Sequence, residues 1–520
     1  MKKTMKQYSF ASRLKSLALV FGIALAFASC ANEDIAQNPN GTDNNKNFTI
    51  FSTGDPATRT SMESNGAFYW EAGDKIWVKD DNGTWQQSRN APTEKTASFK
   101  FEVPGKFTKT TTYKVYYPGQ NGNQNQVTIA ANQSQAEPNT TAHFGTSGDC
   151  GMADAAWSNT KNGFAFTLDH KAAYLLFLPR TSNTVLHDCY LTKVEVNSDN
   201  DITSTYTLNP TTGELTGTGT GKQIIVSTGG SGTYANGFPL TNNATSAATN
   251  GAYVVIKPGT HTLKIRYWVM DVVTGTEGTI TKTLSSATYD QNKYYNITAN
   301  LNVRDYDGDH YYMWDAQEQY WKGYEWTKNL PAGTGQPTLS GDTGSSNPQN
   351  SSDANHRWYH EGSGAFQATQ SCASLPNVNE MTWYAAKGDP RKDADEVWTT
   401  MGHLYKGGMW FKKNVNISGF NPNTAYDGSD WRTTSKTQNW PTSKTLPSAA
   451  DANNYFYLPT LGVYGNTGKM VSLGYYGYYW SSSADSGNNS QAFALSIGSG
   501  NVVYVTLMPR SYGLSVGAFE

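Results

Sequence analysis

Cysteine is scarce in this chain of 520 residues. Beyond Cys30 there are only Cys150, Cys189 and Cys372, without C-x-x-C spacing, which argues against a dense disulfide framework and against a cysteine-ligated metal. Cys150 and Cys189 could bridge in an oxidising compartment or stay as free buried thiols. Charge is also sparse: 16% of residues are Asp, Glu, Lys or Arg and the formal net charge is -2. That excludes a basic nucleic-acid surface and a polybasic membrane patch. The apolar run Ser16–Ser29 falls short of the ~20 residues that a membrane-crossing helix needs.

What is abundant is Thr, Ser, Asn, Gly and Tyr, a mixture suited to strands and turns. Lys2, Lys3, Lys6, Arg13 and Lys15 precede the apolar run, so residues 1–29 read as an export leader to be removed and left out of the fold. Phe27-Ala28-Ser29-Cys30 resembles a lipobox, in which Cys30 would carry the lipid; Phe27 stands where leucine is usual. The acidic pair Glu33-Asp34 resembles the surface-export signal of certain Gram-negative lipoproteins, and residues 30–47 form a polar tether.

The remaining ~490 residues suffice for two or three domains. Short strand-like runs separated by Gly, Asn, Asp and Pro include Lys75–Lys79, Ala97–Val103, Thr112–Tyr117 and Gly163–Leu168, which predict a sandwich over 48–183. Lys171–Pro179 reads as a strand buried on both faces or as a short helix. Tyr190–Val196, Ala252–Lys257, Leu263–Val272 and Lys293–Val303 predict a second sandwich over 184–303.

Thr58-Arg59-Thr60, the step Trp70-x-x-Gly73-Asp74-x-Ile76 and Leu168-Asp169-His170-Lys171 resemble the fimbrillin family of type V fimbrial subunits, over roughly residues 47–303. The resemblance implies two transthyretin-like β-sandwiches, export as an outer-membrane lipoprotein, and cleavage of a first-domain loop by an arginine-specific protease. Arg59 and Arg89 are the candidate cut sites. Cleavage would open a groove for a strand from a neighbouring fimbrial subunit, with main-chain hydrogen bonds supplying affinity.

A third segment, 304–520, follows. Asp305, Asp307 and Asp309 hint at calcium, but without the later bidentate Glu of an EF-hand they read as an interdomain turn. Asp393–Leu404 predicts an amphipathic helix, with Asp393 and Glu396 as its capping box and His403 as a helix-end charge. Leu458-Pro459, the stretch Gly474–Ser483 (GYYGYYWSSS) and Arg510-x-x-Gly513-Leu514-Ser515-Val516 resemble the C-type-lectin-like fold of formylglycine-generating enzymes and retroelement-diversified variable proteins. The implied fold class is mostly β: two sandwiches followed by an α+β lectin-like domain.

That second resemblance implies that Trp480 is core, and that Tyr475, Tyr476, Tyr478, Asn489, Tyr504, Thr506, Ser511 and Tyr512 display ligand-contacting side chains. Gly474 and Gly477 are expected to break the strand, so these tyrosines cannot all point inward. Tyrosine offers a rigid face and a polar tip at low entropic cost. Catalysis has little support. Gly513-x-Ser515-x-Gly517 lacks the strand-to-helix turn of a nucleophile elbow, Cys372 has no partner in its segment, and Glu137-Pro138-Asn139 is a chance match to a calcium-dependent sugar motif. No cofactor and no metal is implied. The expectation is a fimbrial tip adhesin whose ligand is glycan or protein, or else a structural or anchoring fimbrial lipoprotein.

Overall fold

A computed structural model describes residues 6–9, 48–53, 61–62, 68–306, 310–324, 348–448, 450–465, 468–498, 500–517 and 519. Cys30, the tether, Arg59, Asp307 and Asp309 lie outside the described residues. The protein is mostly β and divides into two units. One comprises residues up to 180 with 191–267 and 281–300; the other comprises 181–190, 268–280 and 301–520.

In the first unit, β1 (Thr49–Thr53) lies between β5 (Gly163–Phe166), to which it is parallel, and β2 (Lys100–Val103), to which it is antiparallel. Next to β5 come β4 (Gly151–Ser158) and β3 (Tyr113–Tyr117). Alternation along these strands sends Phe51, Phe101, Val115 and Phe164 into one core, where Phe51 stacks on Phe164 with centroids 4.9 Å apart.

The Trp-Gly-Asp-Ile step is a turn that plugs this core. Trp70 and Ile76 are fully buried, Gly73 takes φ +88°, and Asp74 accepts from Tyr117 Oη at 2.8 Å and Gln120 Nε2 at 2.9 Å. The Asp-His-Lys step is likewise structural, with His170 Nδ1 3.0 Å from the buried Asp149 carboxylate.

A second sheet of this unit centres on β6 (Ala173–Arg180), antiparallel to β7 (Ala252–Ile256) and parallel to β8 (Lys293–Asn300). Every residue of β6 but the last is buried, as an unbroken apolar run requires. Lys6–Ser9 pairs antiparallel along the other edge of β8, Lys6 opposite Asn296. The sequence reading left this stretch out of the fold; in the uncleaved chain its backbone fills a sheet edge. Cys150 of the first unit and Cys189 and Cys372 of the second are free and buried.

The second unit corrects three expectations. Residues 393–404 are not a helix: β10 (Arg391–Thr400) and β11 (His403–Lys412) form a hairpin whose turn residues Met401 and Gly402 take φ +50° and +79°. The capping signal was a real local bond in another setting. Asp393 Oδ1 accepts from Asp395 N at 3.1 Å and Glu396 N at 3.0 Å, closing a bulge between Asp393 and Val397. The bulge breaks the period of two, so apolar positions imitate helical spacing, whereas Val397-Trp398-Thr399-Thr400 favours a strand. His403 therefore opens a strand, with its Nδ1 3.1 Å from Asp271 Oδ2.

Among the described residues the α-helix of this unit is α1 (Val378–Lys387), which buries Val378, Met381, Tyr384 and Ala385. Asn377 and Glu380 make its capping box. Gly477 does not break its strand either; it sits within β14 (Tyr476–Ala484), opposite Ile497.

Two sheets complete the unit. One runs β9 (Arg304–Tyr306), β10, β11 and β13 (Tyr455–Pro459). The other contains β17 (Leu514–Ser515), β14, β15 (Gln491–Gly498), β16 (Val502–Pro509) and β12 (Gln438–Pro441) in that order.

Candidate ligand-binding face

Strands β14, β15 and β16 are antiparallel neighbours, and their register decides what each face shows. Tyr479, Phe493, Leu495, Ile497, Val503 and Val505 point to the main core. The opposite face carries Tyr476, Tyr478 and Trp480 on β14, then Gly498, Ser496 and Ala494 on β15, then Tyr504 and Thr506 on β16.

One end of this face is sealed. Trp480 is fully buried against Trp314, Ala368 and Cys372, and its Nε1 donates to Tyr312 O at 2.8 Å. The other end is open: Tyr476 is 39% exposed and Tyr504 is 40% exposed. Between them the central strand has small residues. Ser496 is buried opposite both Tyr478 and Tyr504, and a Cβ on Gly498 would lie 2.3 Å from Tyr476 Cδ1. The Tyr476 ring therefore rests across the glycine. Tyr476 and Tyr478 rings stack with centroids 6.2 Å apart. Burial, aided by neighbouring Tyr476, raises the Tyr478 phenol, while Ser496 acts in the opposite direction. The phenol stays neutral at physiological pH and serves as donor and acceptor.

Tyr476, Tyr478, Tyr504 and Thr506 are thus brought together. Tyr475 is exposed in the turn just before β14, where its N–H donates to Ser472 O at 3.0 Å. Asn489, Ser511 and Tyr512 are not brought to this end. Asn489 is in the β14–β15 connection, some eight strand residues or about 25 Å along the sheet. Ser511 and Tyr512 follow β16 at that same end, and Tyr512 packs on the Trp480 cluster.

Two contributors escape sequence reading. Ser496 belongs to an apolar run, and exposed Asn439 reaches the row only because β12 pairs with β16, Asn439 opposite Tyr504. Ser515 of the Gly-x-Ser-x-Gly match is buried within β17. Of the three early aspartates, Asp305 accepts from Thr399 Oγ1 at 2.7 Å. Arg89 is exposed and pairs with Glu102 at 2.7 Å, its guanidinium 3.7 Å over the Phe48 ring.

Among the described residues, no helix is long and apolar enough to cross a membrane. No protein-family model and no curated protein matches the chain. Among solved structures it is similar to a candidate cell adhesion protein of Bacteroides ovatus, at 15% identity over 49% of this chain and 92% of that one, with a TM-score of 0.30. It is also similar to the fimbrial anchor protein Mfa2 of Porphyromonas gingivalis, at 11% identity over 46% and 83%, with a TM-score of 0.22. A fimbrial protein of Bacteroides ovatus matches at 10% identity over 90% and 98%, with a TM-score of 0.25. At scores of this size, fold and function rest on the residues themselves.

Proposed function

We propose that this protein is a surface lipoprotein of the fimbrillin type that acts as a fimbrial tip adhesin, with the open end of the β14–β16 face as its ligand-binding surface. The observation that carries this reading is the asymmetry of that face: sealed over Trp480, open at Tyr476 and Tyr504, with Tyr478 half-buried between them. Rigid aromatics around a floor of small residues suit a glycan or a protein epitope. Binding without catalysis fits such a surface.

Assembly by strand addition to neighbouring subunits is part of the reading. Cleavage after Arg59 would separate β1 from the rest of the chain, and its departure would bare one edge of β5 and one of β2. Cleavage after Arg89 would also sever Trp70 and Ile76, which plug the core, so Arg59 is the favoured site. The lipid on Cys30 would tether the precursor to the outer membrane.

The test is a paired measurement on the full chain. Tyr476→Ser and Tyr504→Ser should each change stability by no more than about 0.5 kcal/mol. At least one should weaken ligand capture on a glycan array or on host-cell surface protein by ~2 kcal/mol, about thirtyfold. Trp480→Ala should lose ~3–5 kcal/mol of stability. Tyrosine variants that unfold like Trp480→Ala, or that bind unchanged, would leave the protein as a structural or anchoring subunit.

A further inference from the structure

The second unit has a groove on the side of β14 opposite the tyrosine face. A cleft of about 320 Å³ is lined by Arg304, Tyr306, Glu396, Trp410, Lys413 and Tyr457, among others. It shares Arg304, Tyr306 and Tyr457 with an adjoining cleft of about 210 Å³ that reaches Tyr479 and Ser515. The local backbone builds it. The bulge in β10 carries Glu396 to its wall, and Gly408 leaves room for the Tyr457 ring: a Cβ there would lie 2.4 Å from Tyr457 Cζ and Oη. Trp410 packs beside that ring, centroids 4.9 Å apart, and its Nε1 donates to Asp393 Oδ2 at 3.1 Å, which fixes the indole.

Two hydroxyls on the groove wall, Tyr457 Oη and Ser515 Oγ, are buried without a hydrogen-bond partner, and a third, Tyr306 Oη, has the Arg304 guanidinium beside it. Trp398 Nε1, near the Tyr457 phenol, is committed to Gly407 O at 2.9 Å. Burying a hydroxyl unpaired costs stability, so two in one groove point to an absent ligand that both donates and accepts. The Arg304 guanidinium sits 4.7 Å over the Tyr306 ring, and among the described residues neither Arg304 nor Lys413 makes an ion pair.

We propose that this groove binds an oligosaccharide bearing a carboxylate, with a sugar ring against Trp410 and Tyr457, its hydroxyls on the Tyr457 and Ser515 hydroxyls, and its carboxylate drawn to Arg304 and Lys413. Sugar hydroxyls donate and accept in turn, and their C–H faces pack on aromatic rings, which matches the groove better than an apolar peptide side chain. Much of Glu396 stays exposed, but loss of hydration together with the charge of Asp393 pushes its carboxyl up to about 7. Raised toward neutrality, the carboxyl repels an incoming acid less than an ordinary glutamate would. This inference does not depend on the tyrosine face.

Calorimetric titration of the full chain with trigalacturonic acid and with sialyllactose, against maltotriose and lactose, tests it. At least one acidic probe should bind more tightly than both neutral ones. Tyr457→Phe should weaken that binding at least fivefold while leaving the melting temperature unchanged or raised, because the deleted hydroxyl has no partner to lose. Arg304→Ala should weaken the acidic probe alone, and Tyr476→Ser should alter neither. Failure of both acidic probes to bind, full affinity in Tyr457→Phe, or loss in Tyr476→Ser instead would overturn the assignment. Loss in Tyr476→Ser alone would place sugar binding on the tyrosine face.

Discussion

Single residues of this protein often do a job their sequence context only half announces. His143 is an example. Its ring is partly buried in the first unit, Nε2 lies 3.1 Å from Tyr253 O, and the buried Nδ1 has no partner. Burial lowers its pKa to about 4, because a second N–H would have no acceptor. A histidine held below its unfolded value near 6.5 stabilises the fold fully only above that pH, and the contribution is lost as pH falls from about 6.5 toward 4. The first unit should therefore lose about 2–3 kcal/mol across that window from this residue. Urea unfolding at pH 7 and pH 4 checks it: His143→Gln should flatten the dependence by that amount, and an unchanged slope would mean the ring is not the titrating group.

At the scale of elements, the β10–β11 hairpin shows how a local signal can be right and its interpretation wrong. Asp393 does cap backbone N–H groups, but those of a bulge, and the same carboxylate also accepts from Trp410 Nε1 on the partner strand. Asp393→Ala should destabilise the second unit by ~1–3 kcal/mol, because three donors lose their acceptor in a largely buried place. Asp393→Asn, which keeps one acceptor oxygen, should recover part of that loss in thermal melts. Recovery of nothing by asparagine would show that charge, and not hydrogen bonding, holds the bulge. Helix α1 was legible in principle: Asn377-Val378-Asn379-Glu380 is a capping box before Met381, Tyr384 and Ala385. The buried strand β6 was legible as an apolar run between turn residues, with a short helix as the alternative that its period could not separate.

At the scale of the molecule, the second unit is not continuous in sequence. Residues 181–190 and 268–280 belong with the C-terminal segment: Asn183 Nδ2 donates to Thr399 Oγ1 at 3.0 Å, and Leu404 N to Asp271 Oδ2 at 3.0 Å. Assembly gives the prediction at this scale. Fimbriae purified from cells should contain this chain with Thr60 at its N-terminus, read by mass spectrometry, if the cut after Arg59 frees the β1 slot; chains that retain lipidated Cys30 within the fibre would refute that route.

By itself the sequence determined the β-rich character and the concentration of tyrosines in one stretch, because apolar periodicity and turn chemistry act over a few neighbouring residues, while the burial of Trp480 was implied by the lectin-like resemblance. Only the tertiary structure decided which tyrosines share a face with Ser496, Tyr504 and Asn439, and which hydroxyls are left unpaired beside Trp410. Strand order and register join residues far apart in the chain, and a shift of one residue would turn every side chain to the other face.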